Sequence, residues 1–84
     1  MTEVIIYSTP VCPYCVRAKN LLKNKGVSWQ EINVAGDEAL RDAMIEKAGG
    51  RRTVPQILIN GTHVGGYDDL YALDQSGKLD AMLK

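Results

Sequence analysis

Two thiols, Cys12 and Cys15, are the only cysteines of the chain, three positions apart in TPVCPYCVRAK (9–19). Such a pair can serve as a covalent cross-link, as half of a metal site, or as a dithiol that exchanges electrons. A cross-link would stabilise little here: closing a loop of four residues is worth roughly 2 kcal/mol, against about 3 for a 15-residue loop, before strain is subtracted. A reducing cytoplasm would also keep it open. Structural zinc needs four ligands, whereas the chain supplies these two cysteines and one histidine, His63, with no second CxxC. His63 is expected to face solvent or a neighbour on the hairpin and is assigned no chemistry. Electron exchange remains, and the flanking residues favour it.

Exchange works best when one thiol is made more reactive than the other, which depends on the element that holds them. EVIIY (3–7) is a short apolar run rich in β-branched residues and reads as a buried strand. From Pro13 to Lys25 the period changes, and Cys15, Ala18 and Leu22, with Leu21 beside them, share one helical face. Pro13 suits the first helical position, the closing lysines suit the helix dipole, and Gly26 supplies a left-handed stop. Cys12 therefore falls at the helix head, where unpaired N–H groups and the dipole favour a thiolate. A thiol of ordinary pKa, about 8.5, is only about 3% ionised at pH 7, and values near or below 7 are common in this setting. Arg17 and Lys19 are expected to add positive potential. Cys15, a turn deeper and facing inward, lacks those donors and is expected to stay protonated. The roles then separate: Cys12 attacks a substrate disulfide to form a mixed disulfide, and Cys15 attacks Cys12 to release the reduced product.

The remaining elements must carry this helix. VSWQEINV (27–34) reads as a second strand, with Val27, Trp29 and Glu31 alternating against Ser28, Gln30 and Ile32. Asp37 caps a helix to Ala48, with Leu40, Met44 and Ala48 on one face and Gly49-Gly50 ending it. QILI-NG-THV (56–64) is a hairpin, because Asn60 and Gly61 both accept the positive φ of a type I′ turn. Gly65-Gly66 leads into a third helix from about Asp68, with Leu70 and Leu73 inward, and LDAMLK (79–84) closes the chain as a short helical tail. The order β-α-β-α-β-β-α makes the first βαβ unit parallel, with a right-handed crossover, and the hairpin antiparallel. The expected fold is α/β, a four-stranded mixed sheet flanked by three helices, in one domain over residues 1–84.

Composition narrows the class. A chain of 84 residues, 45% of them hydrophobic, buries only a little over 60% of its unfolded surface, so its core is thin. No run approaches the roughly 20 apolar residues that span a bilayer. MTEVIIYS carries an acidic residue and no basic one, so it does not read as a signal peptide, and a cytoplasmic location is expected. Ten basic and ten acidic residues cancel, which argues against general nucleic-acid binding. Their placement is uneven. Arg17, Lys19, Lys23 and Lys25 follow the cysteines with no acid among them, Arg51-Arg52 adds a second basic spot, and Asp68, Asp69, Asp74 and Asp80 make the last third acidic. Most of these are solvated helix faces; the sharper reading is that both signs converge on one small ligand carrying both.

CPYC after the first strand, TVPQ (53–56) before the third, and GGYDDL (65–70) at the last main helix together closely resemble glutaredoxins, more narrowly the small dithiol bacterial type. The resemblance runs over essentially the whole chain. It implies a thioredoxin-like fold and a monomer with no membrane or nucleic-acid partner. Glutathione would be co-substrate, with no tightly bound cofactor and no metal. Cys12 alone would then reduce protein–glutathione mixed disulfides, and Cys12 with Cys15 would reduce protein disulfides. NADPH and glutathione reductase would stand upstream, and ribonucleotide reductase is a family-level candidate substrate.

The resemblance also implies ligand roles. Pro55 would be cis, leaving the N–H and C=O of Val54 to pair with the cysteinyl backbone of glutathione. The backbone N–H groups of Gly66-Tyr67-Asp68 would take the γ-glutamyl carboxylate and the Asp68 side chain the ammonium. Tyr14 would wall the groove, and Thr53 with Arg51 or Arg52 would meet the glycyl carboxylate. Two departures stand out: Ser8-Thr9-Pro10 has no charge where many members carry a lysine, and Tyr67 stands where cysteine is frequent. Trp29 and Tyr7 are expected to be packing residues. Two rivals are a carrier fed by thioredoxin reductase and a module in which two subunits share a [2Fe–2S] cluster through one cysteine and one glutathione each. The second is associated with CGFS-type sites, which Pro13 and Tyr14 do not match.

Overall fold

The computed structural model describes residues 2–83. The central strand β1 (Val4–Ser8) has neighbours on both edges, parallel β2 (Gln30–Asn33) and antiparallel β3 (Gln56–Ile59). The strand β4 (Thr62–Gly65) pairs antiparallel with β3, giving the order β2-β1-β3-β4 and the expected mixed sheet. β3 is buried along its whole length, and β1 at all but Ile5. Apart from the buried polar residues Ser8 and Gln56 at their ends, both read as continuous apolar runs because helices cover both faces of the sheet.

Those helices are α1 (Pro13–Asn24), α2 (Glu38–Lys47), α3 (Tyr67–Gln75) and α4 (Lys78–Leu83). The two-residue period of the strands divides the core. Val4, Ile6, Ile57 and Ile59 point to one face and meet Ala18, Leu22, Leu70 and Leu79 of α1, α3 and α4. Tyr7 and Leu58 point to the other, with Val34 and with Met44 of α2. Trp29 is half-buried against the first cluster and Tyr7 lies within the second, so both are packing residues.

Three expectations are adjusted. The second strand is shorter than 27–34: the Val27 N–H still bonds the Leu22 carbonyl at the end of α1, and the ladder to β1 begins only at Gln30. Leu40 does not face inward but is 37% exposed, while Met44 and Ala48 on the same stripe are buried. The second cluster is small enough to be covered by the C-terminal half of α2, so the first turn overhangs it. The expected helical tail is present as α4, which makes a fourth helix beside the expected three, set off from α3 by Ser76 and by Gly77 at φ +79°, and its Leu79 is fully buried. Lys84 of the expected tail lies outside the described residues.

The hairpin turn has Asn60 at φ +51° and Gly61 at φ +81°, as a type I′ turn requires. Asn60 also ties the turn to the first strand: its N–H donates to the Glu3 carbonyl at 2.7 Å, and its Oδ1 accepts from the Glu3 N–H at 2.8 Å. At the other end of the β1–β3 pair Tyr7 stands opposite Gln56, which sets the TVP segment that precedes β3 next to the loop that precedes α1.

Candidate active site

Cys12 is the N-cap of α1, with extended backbone and Pro13 in the first turn behind it. It is joined to Cys15 as a disulfide. The Cys15 N–H donates to Cys12 Sγ at 3.1 Å, so one of the orphan donors of the helix head already points at this sulfur. The first turn carries no acidic residue. Cys12 is partly exposed, while Cys15, one turn deeper, is 1% exposed and faces the core. An incoming sulfur therefore meets Cys12 first.

The expected cationic support is divided. The Arg17 guanidinium lies over the Tyr14 ring, 5.3 Å from its centroid. Lys19 instead pairs with Glu31 at 3.1 Å, so its charge is met on the sheet edge and does not add freely to the potential at Cys12. Glu31 is held below the usual carboxylate range, chiefly by the Ser8 hydroxyl and then by Lys19.

Beside the disulfide runs a shallow groove of about 130 Å³. One wall is the TVP segment, where the Val54–Pro55 peptide bond is cis and the Val54 carbonyl oxygen lies 3.9 Å from Cys12 Sγ. The opposite wall is the head of α3, whose N-cap is Gly66. The two walls approach closely, since a Cβ at Gly66 would lie 3.4 Å from the Pro55 carbonyl oxygen. Tyr14 from α1 and Tyr67 from α3 close one end, with ring centroids 6.3 Å apart. At the head of α3 Asp69 Oδ2 accepts from the Gly66 N–H at 3.0 Å. Glycine has no side chain to return that bond, so this is half of a capping box. The N–H groups of Tyr67 and Asp68 have no acceptor within the helix.

The family model described as glutaredoxin matches residues 4–64. Glutaredoxin 3 of Escherichia coli (strain K12) is 56% identical over 84 residues, covering 100% of both chains. The chain belongs to the glutaredoxin family. The solution structure of glutaredoxin from Brucella melitensis superposes with a TM-score of 0.87 at 55% identity, over 100% of this chain and 90% of that one. The crystal structure of a buckwheat glutaredoxin–glutathione complex superposes at 0.88 with 33% identity, over 98% of this chain and 76% of that one. The fold is thioredoxin-like, and Cys12 with Cys15 makes this a small bacterial dithiol glutaredoxin, a thiol–disulfide oxidoreductase.

In this glutaredoxin the groove gathers Tyr14, Arg51, Thr53, Val54, Pro55, Gly66, Tyr67 and Asp68 on its walls. Arg52 is not among the lining residues; its carbonyl accepts from Arg41 of α2. Of the two arginines, Arg51 is the one placed to meet an anion. The residue that sequence reasoning missed is Asp69. Besides capping Gly66 it pairs with Arg51 at 2.8 Å, and these two contacts, Arg51 first, hold its carboxyl below the usual range. Its position three residues after the N-cap was the available signal, since that is where an acid reaches back to a helix head. Among the described residues, no group of three or more His, Cys, Asp or Glu side chains could hold a metal ion.

Proposed function

We propose that this glutaredoxin is a cytoplasmic, glutathione-dependent reductase of protein–glutathione mixed disulfides and of protein disulfides. The observation that carries the reading is the groove itself. A backbone carbonyl lies 3.9 Å from Cys12 Sγ on one wall, and a helix head with free N–H groups and an acid stands on the other. Glutathione offers the matching groups: an extended backbone, two carboxylates and one ammonium. The γ-glutamyl carboxylate is assigned to the N–H groups of Tyr67 and Asp68, where the helix dipole favours an anion. The ammonium is assigned to the Asp68 carboxylate, and the cysteinyl backbone to Val54. The glycyl carboxylate is assigned to Thr53 and to the donors of Arg51 that Asp69 leaves unused, a guanidinium having five. Pro55 supports the wall and Tyr14 shields the reacting sulfurs. The buckwheat relative, solved as a glutathione complex, supports the assignment.

The steps are thiol–disulfide exchanges. The Cys12 thiolate attacks the glutathionyl sulfur of the mixed disulfide, the protein thiolate leaves, and Cys12 becomes glutathionylated. A glutathione thiolate then attacks that glutathionyl sulfur, producing glutathione disulfide and restoring the Cys12 thiolate. With a protein disulfide, Cys12 forms a mixed disulfide with one substrate sulfur. Cys15 then loses its proton and attacks Cys12 Sγ; the substrate leaves with two more electrons, and the Cys12–Cys15 disulfide seen here is the oxidised product. Two glutathione molecules return it to the dithiol, with NADPH and glutathione reductase upstream. Ribonucleotide reductase is the candidate protein substrate.

The test is a pair of variants. Cys15→Ser retains reduction of a small glutathione mixed disulfide and loses reduction of protein disulfides, whereas Cys12→Ser loses both. Equal behaviour of the two variants contradicts the division of roles. Recovery of the dithiol with thioredoxin reductase but not with glutathione contradicts the glutathione dependence.

A further inference from the structure

Gln56, the first residue of β3, is 1% exposed, and its amide joins the groove to the outer strand of the hairpin. Its Nε2 lies 3.0 Å from the Thr53 carbonyl oxygen and 3.2 Å from Thr53 Oγ1. Its Oε1 lies 2.7 Å from Nε2 of His63 on β4. The polarity of this chain follows from its ends. A backbone carbonyl can only accept, so Gln56 must turn its NH₂ to Thr53 and its oxygen to His63. An amide oxygen also only accepts, so His63 must donate from Nε2. The neutral ring is then the Nε2–H tautomer, with Nδ1 unprotonated. Because Thr53 Oγ1 receives an N–H from Gln56, the Thr53 hydroxyl proton points elsewhere and is free for a groove acceptor.

We propose that His63 is a positioning residue for ligand binding: through Gln56 it fixes the Thr53 hydroxyl as a donor to a carboxylate in the groove. Thr53 lines the groove and His63 does not, so the Gln56 amide is its route to Thr53. His63 also neighbours Asp69, and Thr53→Val separates the two routes because it leaves the second intact. Without its Nε2–H, the buried Gln56 oxygen loses its donor, and the amide gains by rotating toward another partner. Its N–H then leaves Thr53 Oγ1, and the hydroxyl is no longer committed to donating. The inference rests on the glutathione reading for the identity of the carboxylate, but the relay itself does not.

The probe is S-methylglutathione, which keeps both carboxylates and has no free thiol, titrated into the oxidised protein and followed by NMR shifts. His63→Leu is expected to weaken binding about three- to tenfold, the net size of one ordinary hydrogen bond, with the alkylation rate of reduced Cys12 unchanged. His63→Gln, whose amide can donate to Gln56 Oε1, restores most of the affinity. Thr53→Val, which keeps the backbone carbonyl, also weakens binding, and adding His63→Leu to it produces no further loss. A His63→Leu protein that binds as the wild type does, or losses that simply add, overturns the relay. The tautomer is read from ¹⁵N shifts of His63 in the wild-type protein and needs no variant: a ring protonated at Nδ1 rather than Nε2 also overturns it. A wild-type protein that ignores S-methylglutathione defeats the glutathione reading instead, and the tautomer then judges the relay alone.

Discussion

Asp69 Oδ2 receives two donors from different parts of the chain, the Arg51 guanidinium at 2.8 Å and the Gly66 N–H at 3.0 Å. Its carboxyl is held below the usual range for that reason. A folded-state value lowered in this way contributes stability that is complete above the ordinary carboxylate pKa, about 4, and is lost as pH falls through the folded value. Both side chains are about half exposed, so solvent screening limits the pair to about 0.2–1 kcal/mol. Asp69→Asn keeps an acceptor for Gly66 and removes the ion pair. Urea unfolding is expected to show the variant slightly less stable than the wild type from pH 7 to 5, with the gap closing as pH drops below about 4. Parallel curves down to pH 2 would mean that the pair contributes nothing. Sequence reading could see Asp68-Asp69 as first-turn acids, but not which of them turns back toward an arginine 18 positions earlier, because that choice is made by tertiary approach. The cysteine pair was legible, since its chemistry depends on a local feature, the head of the helix that Pro13 opens.

Elements were legible where a local rule decides them and less so where packing does. The Asn60-Gly61 turn is local, and the residues at positive φ are the two that the sequence names. The start of β2 and the exposure of Leu40 depend on how far neighbouring elements extend, which no periodicity encodes. Two glycines at positive φ make this difference measurable. A Cβ at Gly61 would meet nothing within 4 Å, and φ there is +81°. Gly61→Ala therefore carries only the left-handed backbone cost of about 1–2 kcal/mol. At Gly65 φ is +121°, and a Cβ would lie 2.8 Å from Arg51 Nη1 and closer still to the Asp69 carboxylate. Gly65→Ala must therefore displace the Arg51–Asp69 pair as well. Urea midpoints are expected to fall in both variants, but affinity for S-methylglutathione is expected to drop only in Gly65→Ala. Equal affinities in the two would separate the head of α3 from ligand binding.

The molecule as a whole has little core to spare, and its last helix supplies part of it. Leu79 is fully buried in the cluster that contains Val4, Ile6, Leu22 and Ile59. Polar contacts hold α4 in place around it: Lys25 at the end of α1 bridges Asp74 of α3 and Asp80 of α4, and the Thr2 hydroxyl donates to the Leu83 carbonyl at 2.8 Å. These contacts raise the Lys25 pKa, chiefly through Asp74 and then Asp80, so they persist throughout the neutral range. A domain of this size has total stability on the order of 5–10 kcal/mol, and truncating a buried leucine costs about 2–5 kcal/mol. Leu79→Ala is therefore expected to remove a large fraction of the total and to lower the melting temperature by about 10 °C or more. The groove is built from the head of α3 and the TVP segment, and Leu79 is not among the residues that line it; Leu79 packs in the cluster on the sheet face that α1 and α3 cover. Below its lowered melting point, Leu79→Ala should therefore reduce a glutathione mixed disulfide at the wild-type rate per folded molecule. A variant that melts with the wild type would show that α4 is an appendage and not core. A variant that is fully folded yet slow would show that the tail reaches the active site through the shared cluster.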